Sequence, residues 1–228
     1  KQFLNDRDEK IDFIMSILSN YTPKCLAKAS VNCKLEDLEK NNEIKDKNFV
    51  ENFISAVKIS KVDTYRAVTH NKGIMNGIDS VVIATGNDFR SVEAGIHAYA
   101  SRNGNYSGLS NAYIKDDDFY FDLTIPISIG TVGGLTKLHP LVNWAHNLLR
   151  NPSASKLMEI IAAIGLAQNF AAIKSLVTTG IQKGHMKMHL TNILNQLGAN
   201  QIQKNEANEY FKTNYVSFKN VRNFLNIK

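Results

Sequence analysis

Residues 119–129 read FYFDLTIPISI, in which an apolar side chain occupies every second position from Phe119 to Ile129. Strict alternation over this length predicts a β-strand with one buried face. The acidic run at residues 116–118 comes just before it and predicts a turn, so we expect a hairpin. Pro126 has no backbone N–H for a neighbouring strand, which places this strand at a sheet edge or at a bulge.

A second strand is predicted at residues 25–33, CLAKASVNC, where small or apolar residues again alternate with mostly polar ones. This segment contains both cysteines of the chain, Cys25 and Cys33. Eight residues of strand span roughly 26 Å, whereas a disulfide requires Cα atoms within about 7 Å of each other. The two thiols should therefore be free, which is typical of a reducing, cytosolic setting.

Apolar residues at helical spacing predict a series of helices, over residues 6–19, 47–61, 89–101, 138–150 and 153–179. A short apolar run, SVVIAT at residues 80–85, predicts a buried strand in front of one of them. After Gly184 the long apolar runs end and Asn and Lys become frequent, which indicates a small helical appendage. Strands and helices that follow no simple alternation predict an α+β fold.

The composition narrows the class of protein. The chain has 228 residues, 43% hydrophobic and 21% charged, enough for one sizeable core or for one domain with an appendage. No stretch of about 18 consecutive apolar residues occurs, so we expect no transmembrane helix. The net charge of +6 is modest and its basic residues are scattered. This favours a polyanionic small molecule over nucleic acid as the partner.

The densest polar segment is residues 66–77, RAVTHNKGIMNG, which combines a guanidinium, an imidazole, two amides, an ammonium and two glycines. Such a run can bring several donors to one anionic or carbonyl ligand. A polar loop bounded by glycines is the competing interpretation. Asp88, after the SVVIAT run, either lies in a ligand site at a strand end or caps the helix from Phe89.

Two further motifs carry weaker signals. The glycine cluster IGTVGG at residues 129–134 is neither a dinucleotide-binding fingerprint nor a phosphate-binding loop, so it is a glycine turn or a ligand loop. In GHMKMH, His185 and His189 have the four-residue spacing of zinc ligands, but the glutamate of the zinc-protease motif is missing. We therefore expect no metal site.

In combination, these segments resemble the class II hydroxymethylglutaryl-CoA reductase family. The resemblance rests on residues 62–100, VDTYRAVTHNKGIMNGIDSVVIATGNDFRSVEAGIHAYA, followed in order by IPISIGTVGG and by residues 165–189, GLAQNFAAIKSLVTTGIQKGHMKMH. YTPKCLAKASV at residues 21–31 also fits. Several long motifs in the same order make the likeness specific over residues 21–189.

The resemblance implies a role for five residues. Lys72 matches the family's catalytic lysine, which stabilises the oxyanion at the reduced carbonyl, and Asp88 matches the aspartate that hydrogen-bonds this lysine. His185 matches the histidine that protonates the departing CoA thiolate. Arg66 and Asn76 match residues that hold the hydroxymethylglutaryl group.

The same resemblance implies the organisation of the chain. Residues 1–20 would end the small cofactor-binding domain, residues 21–182 would belong to the large substrate-binding and catalytic domain, and residues 183–228 would form a C-terminal helical flap. The family's catalytic glutamate, in an ENVIG-type motif, and its DAMG-type cofactor loop do not occur in this sequence. We therefore expect this chain to be inactive by itself.

The implied activity is the reduction of 3-hydroxy-3-methylglutaryl-CoA to mevalonate and CoA with two hydrides from NADPH or NADH, in the mevalonate pathway of isoprenoid synthesis. The implied assembly is a cytoplasmic homodimer or higher homo-oligomer, without nucleic acid or membrane partners. The alternative is a non-catalytic CoA-binding or assembly module. Retention of Lys72, Asp88 and His185 argues against that alternative.

Overall fold

The computed structural model describes residues 14–39, 48–178 and 181–226, and combines a small antiparallel sheet with helices. The strands are β1 Leu26–Lys34, β2 Ser110–Lys115 and β3 Asp118–Pro126. The helices are α1 Leu35–Glu39, α2 Phe49–Val62, α3 Thr64–Ala84, α4 Phe89–Ala100, α5 Leu135–Leu138, α6 Pro140–Leu148, α7 Ala154–Val177, α8 Ile181–Gln196, α9 Gln201–Tyr210 and α10 Phe218–Phe224. This arrangement confirms the α+β prediction.

The sheet has the order β1-β3-β2, with β3 in the centre. Both neighbours are antiparallel to β3, with Leu26 opposite Pro126 and Lys115 opposite Asp118. The predicted edge position of β3 is therefore wrong. Pro126 is accommodated because it is the last residue of the strand, where one missing donor does not interrupt the ladder.

The predicted hairpin is confirmed, with Asp116 and Asp117 at φ values of 51° and 61° between β2 and β3. Two central residues with positive φ match the twist of paired strands, and Asp tolerates that conformation. The strand at residues 25–33 is also confirmed, and Cys25 and Cys33 are both free.

The main core lies between one face of the sheet and helices α2, α3 and α7. Alternate residues of β3 fill it, and Phe53 of α2 packs edge-on against Phe119 and Phe121 at ring-centroid distances of 5.6 and 5.2 Å. Phe170 of α7 completes this aromatic group, 5.2 Å from Phe53. The apolar alternation read from the sequence thus does determine which face of β3 is buried.

Two predicted elements differ from the structure. The run SVVIAT is not a strand, because residues 80–84 are the last turn of α3. The helix predicted at residues 6–19 is wrong for residues 14–19, which have no regular secondary structure, and its remainder lies outside the described residues. Its intended apolar face is exposed where described, and a helix without a packing partner has little stability.

Among the described residues, α7 is long and apolar enough, by length and composition, to cross a membrane. This helix passes on mean hydropathy although it contains no run of about 18 consecutive apolar residues, so the expectation of no transmembrane helix stays a prediction. Core helices of soluble proteins meet it too, and α7 packs against α3 and β1 with Leu157, Ile161 and Ile173 fully buried. Its buried amide, Asn169, is hydrogen-bonded to Ser110.

A second, smaller core joins α8, α9 and α10. Among the described side chains, those that it buries are Leu190, Ile193, Leu194, Ala199, Ala207, Phe211, Val216 and Val221. Asn200 begins α9 with a capping box, since its side chain accepts from the backbone N–H of Gln203 and the Gln203 side chain accepts from the N–H of Asn200. The C-terminal helices therefore pack around apolar residues of their own.

Candidate active site

The polar segment 66–77 is not a loop but the first half and centre of α3. Asp63 caps this helix by accepting a hydrogen bond from the backbone N–H of Arg66 at 3.2 Å. The buried apolar residues Ala67, Ile74, Ile78 and Val82 recur at helical spacing and hold the helix against the core. The loop interpretation of this segment is therefore wrong.

One of the two glycines of the segment, Gly77, serves helix packing. A Cβ atom at Gly77 would lie 2.9 Å from both the Cβ of Gln168 and the carbonyl oxygen of Ile164, on α7. Gly165 of α7 has the same role on the other helix, because a Cβ there would lie 2.9 Å from the side chain of Ile78. The two helices can approach closely only because these positions lack side chains.

Lys72 and Asn76 lie one turn apart on one side of α3, whereas Arg66, six residues before Lys72, is about 120° around the helix from it. Lys72 and Asn76 are exposed and four residues apart, so their Cβ atoms are neighbours at roughly 5–6 Å. Within the described part of the chain, Lys72 makes no hydrogen bond or ion pair. Arg66 is half-buried, and desolvation lowers the pKa of its guanidinium. Helical geometry thus brings Lys72 and Asn76 together, whereas Arg66 is the i, i+4 neighbour of His70.

Asp88 occupies a different place. Its Oδ1 accepts hydrogen bonds from the backbone N–H groups of Arg90 and Ser91, at 3.0 and 3.3 Å, which makes it the N-cap of α4. Arg90 Nε lies 3.6 Å from the same oxygen, and both side chains are exposed, so this ion pair contributes little. The capping interpretation of Asp88 is confirmed.

Lys72 and Asp88 are not brought together within one chain. Lys72 lies ten residues before Val82, or about 15 Å along the helix axis. Asn87 is held at the far end of α3, because its backbone N–H donates to the Val82 carbonyl at 2.9 Å. Asp88 therefore follows the C-terminal end of α3, whereas Lys72 lies in its middle.

The turn before Asp88 contacts the glycine cluster. Gly130 donates its backbone N–H to Oδ1 of Asn87 at 2.8 Å. His146 of α6, which is buried, contacts the Thr85 carbonyl through Nε2 at 3.1 Å. Gly86 adopts a φ of 72°, with Val142 close to where a Cβ would stand. The ATGND and IGTVGG motifs thus form one compact corner at the end of α3.

The side chain of His185, the predicted acid for CoA, lies outside the described residues. Its backbone belongs to α8. No group of three or more metal-ligating side chains occurs among residues that the structure describes.

Sequence reasoning missed a buried polar network on the side of α3 that packs against β2 and α7. His70, only 2% exposed, contacts Ser110 of β2 through Nε2 at 2.7 Å, and Ser110 donates to Oδ1 of Asn169 at 2.7 Å. Asn71, also buried, donates to the Ser107 carbonyl and accepts from the N–H of Leu109, both at 3.0 Å. The available signal was polar residues at core-facing positions of a helix.

A carboxyl pair was missed as well. Burial of Asp79 on α3, together with the nearby charge of Glu93 on α4 and a hydrogen bond to it, raises the pKa of Asp79 to about 7. Two carboxylates in contact cannot both ionise easily, so one proton is shared between them. Asp79 lies one turn after Asn76 and so extends the side of α3 that carries Lys72.

Comparisons with known proteins identify relatives of this chain. The chain is 44% identical over 151 residues to 3-hydroxy-3-methylglutaryl-coenzyme A reductase of Archaeoglobus fulgidus, a match that covers 66% of this chain and 34% of that protein. It is 36% identical over 184 residues to the probable reductase of Borreliella burgdorferi, covering 81% and 42%. The chain thus spans less than half the length of these curated relatives.

Solved structures give the same result. The 3-hydroxy-3-methylglutaryl-coenzyme A reductase of Streptococcus pneumoniae superposes with a TM-score of 0.70 at 40% identity, over 93% of this chain and 51% of that one. The class II enzyme of the same organism, bound to NADPH in open conformations, gives 0.69 at 40% identity, covering 93% and 52%. The family model for hydroxymethylglutaryl-coenzyme A reductase matches residues 2–190. The chain therefore belongs to the hydroxymethylglutaryl-coenzyme A reductase family.

Proposed function

We propose that this chain is the C-terminal, substrate-binding half of an enzyme that reduces 3-hydroxy-3-methylglutaryl-CoA to mevalonate and CoA with two hydrides from NADPH or NADH. The observation that carries the proposal is the family match over residues 2–190, combined with Lys72 and Asn76 on one side of α3 and Arg66 on the same helix. A guanidinium, an ammonium and an amide within about three turns of one helix suit a ligand with a carboxylate and a reactive carbonyl.

The residues of this chain do not fit the nicotinamide cofactor itself. The glycine cluster leads into α5, a helix of four residues, whereas dinucleotide-binding loops open a long helix whose N-terminus holds the pyrophosphate. The hydride would therefore come from a cofactor that is held mainly by the other half of the enzyme. The steps below concern only what this chain contributes.

Arg66 and Asn76 would hold the hydroxymethylglutaryl group, with the carboxylate paired to the guanidinium. Lys72 would then lie at the thioester carbonyl. Addition of hydride there turns the carbonyl oxygen into an alkoxide, and a preorganised ammonium stabilises that developing charge. The exposure of Lys72 and its lack of a partner among the described residues support this role, because no neighbouring acid already neutralises it.

His185 would protonate the thiolate that leaves as CoA. An imidazolium with pKa near 6.5 is a suitable acid for a thiol of pKa about 8.5. Asp88 would hydrogen-bond Lys72 and order the protons around it. Because α3 separates Lys72 from Asp88 within one chain, we propose that this contact joins two subunits of a homodimer.

The exposed apolar residues around the start of α3 support such a dimer. Val62 is 87% exposed and Tyr65 90% exposed, beside the half-exposed Ile59 and Val68. Large apolar groups that cluster in this way are typical of protein–protein interfaces. We propose a cytoplasmic homodimer or higher homo-oligomer, without nucleic acid or membrane partners.

The domain division follows the same proposal. Residues 1–20 would end the cofactor domain, residues 21–182 would belong to the large catalytic domain, and residues 183–228 would form a flap over the site. The separate apolar core of α8, α9 and α10 supports a C-terminal unit that moves as one body. His185 near the start of this unit would then reach the thioester when the flap closes.

The proposal is tested by assaying residues 1–228 alone and joined to an upstream half that carries the ENVIG-type and DAMG-type motifs. We expect no turnover alone, and in the joined protein two cofactor molecules oxidised per mevalonate formed. Lys72→Ala should lower kcat a hundredfold or more, an effect on the order of one oxyanion-stabilising group.

Lys58→Ala, at an exposed position of α2, is the matched control and should keep the wild-type rate. Turnover by residues 1–228 alone would contradict the proposed incompleteness. Binding of CoA without any turnover in the joined protein would favour the non-catalytic module instead.

A further inference from the structure

The buried chain His70–Ser110–Asn169 determines how the imidazole of His70 is protonated. Ser110 has a single hydroxyl hydrogen, and it donates this hydrogen to Oδ1 of Asn169 at 2.7 Å. Its contact with Nε2 of His70, also 2.7 Å, must then be one in which the imidazole donates. His70 is therefore the Nε2–H tautomer, and its Nδ1 is a bare acceptor.

The same surroundings keep His70 neutral. Burial, together with the positive charges of Arg66 and Lys61, lowers its pKa to about 3. The ring is thus uncharged throughout the physiological pH range. Ser110 comes from β2 and Asn169 from α7, so the ring plane is fixed by two elements besides its own helix.

Nδ1 of His70 is buried and has no hydrogen-bond partner in the described structure. Lone pairs that are buried without a donor are rare and costly. Two cations lie near the ring, and one of them, Lys61, donates its Nζ to the Gly108 carbonyl at 2.6 Å. Arg66 is the other. It precedes His70 by one helical turn, is half-buried, and makes no side-chain hydrogen bond within the described residues.

We propose that His70 is a positioning residue for Arg66: its Nδ1 accepts one guanidinium N–H and thereby directs the remaining donors of Arg66 toward the substrate carboxylate. This inference rests on the proposed function, in which Arg66 holds that carboxylate. A guanidinium has five N–H donors in a fixed plane, so fixing one N–H orients the others.

The choice of a neutral acceptor has a physical reason. A carboxylate at this position would orient Arg66 equally well, but it would form an ion pair and reduce the positive charge left for the substrate. A neutral imidazole orients the guanidinium and leaves its full charge available. The contact to Ser110 prevents the ring from turning away, in the way that outer-shell partners fix a metal-ligating histidine.

Two substitutions separate this role from a purely structural one. His70→Gln keeps an N–H donor near the Nε2 position, toward Ser110, but has no acceptor at the Nδ1 position. His70→Asn keeps an acceptor oxygen at the Nδ1 position but is too short to reach Ser110. Each variant thus retains one of the two contacts and removes the other.

The variants are compared in the full-length protein by kcat, by KM for hydroxymethylglutaryl-CoA and by thermal melting. We expect His70→Gln to raise KM about tenfold or more, as for loss of a hydrogen bond to a charged group, with kcat and Tm close to wild type. His70→Asn should lower Tm but keep KM within about threefold. If KM follows Tm in both variants, His70 is only structural and the proposal is overturned.

A measurement without substrate separates failure of this inference from failure of the proposed function. The ¹⁵N resonance of His70 Nδ1 shifts when the nitrogen accepts a hydrogen bond, so it should differ between wild type and Arg66→Met. The Nε2 resonance should remain that of a protonated nitrogen in both. An unchanged Nδ1 resonance would overturn the inference, whether or not wild type reduces hydroxymethylglutaryl-CoA.

Discussion

The neighbouring sequence predicts the environment of some residues in this fold but not of others. The disagreement is largest for Asp79. On α3 it looks like an ordinary helix-surface acid, yet its Oδ1 is buried without a hydrogen-bond partner among the described residues. Its other contact is to Glu93, a second acid, on α4. The two helices are therefore joined by a carboxyl pair that is most stable with one proton.

This pair predicts that stability falls as the pH rises. The pKa of Asp79 is raised from 3.8 to about 7 in the folded state, so the folded protein binds this proton more tightly than the unfolded chain does. The contribution is complete below about pH 4 and is lost as the pH rises through about 7. Asp79→Asn keeps a neutral group at the site and should flatten this dependence.

The measurement is Tm against pH from 5 to 8 for wild type, Asp79→Asn and Glu51→Gln. Glu51 is an exposed acid of α2 and controls for loss of one negative charge. We expect the Tm of the variant at position 79 to rise relative to wild type progressively from pH 5 to about 7 and to level off above that, and the control to follow wild type. Parallel curves for all three proteins would show that the pair does not titrate in this range.

At the scale of elements, the packing of α3 against α7 decides the fold, and the sequence pattern did not predict it. Ser80, Val81, Val82 and Ile83 favour a strand by their residue types, because β-branched residues are typical of strands. In the structure the helix continues through them, since Val82 packs into the core beside Ile78. Tertiary burial outweighs the small intrinsic preference, which is below about 1 kcal/mol per residue.

The two glycines of α3 yield a matched pair of substitutions. Gly77→Ala forces a Cβ to within 2.9 Å of the α7 backbone at Ile164 and of Gln168, so the helices must separate. Overpacking of this kind destabilises a protein by about 1–3 kcal/mol. Gly73→Ala places its Cβ 3.7 Å from that of Ala172, an ordinary contact, and removes a helix-weakening glycine.

Urea unfolding of both variants checks this prediction. Gly77→Ala should clearly lower the urea midpoint. Gly73→Ala should leave the free energy of unfolding unchanged or raise it by up to about 1 kcal/mol. If both substitutions were tolerated equally, the close approach of α3 and α7 at Gly77 would not matter to stability.

At the scale of the whole molecule, the separation of Lys72 from Asp88 predicts a site shared between subunits. Lys72→Ala and Asp88→Asn should each be inactive alone in the full-length protein. After subunit exchange, half of the dimers contain one copy of each, and one of their two sites is intact. The mixture should therefore recover about a quarter of the wild-type activity, as expected for a site at a two-fold interface.

Each variant carried through the same exchange by itself is the control and should stay inactive. Absence of recovery in the mixture, with hybrid dimers confirmed by mass spectrometry, would place Lys72 and Asp88 in the site of one subunit. That result would require the end of α3 to rearrange, because its helical geometry keeps the two residues apart.

By itself, the sequence determined the α+β class, the hairpin of β2 and β3, the long helices α2 and α7 and the family. These features follow from local patterns, each of which depends only on neighbours along the chain. The patterns are the alternation along β3, the acidic residues suited to positive φ, and the apolar spacing within one helix. The neighbouring positions of Lys72 and Asn76 followed from the same local source once the segment was known to be helical.

Only the tertiary structure decided that SVVIAT is helical, that β3 is central, and that Asp88 lies far from Lys72. It also showed that His70 and Asp79 are removed from water. His70 contacts Ser110, which lies 40 positions later in the sequence, and Asp79 lies against Glu93 on a neighbouring helix. Burial and the pairing of polar groups arise between distant segments. A single sequence shows which groups are polar, but not which of them the folded chain removes from water.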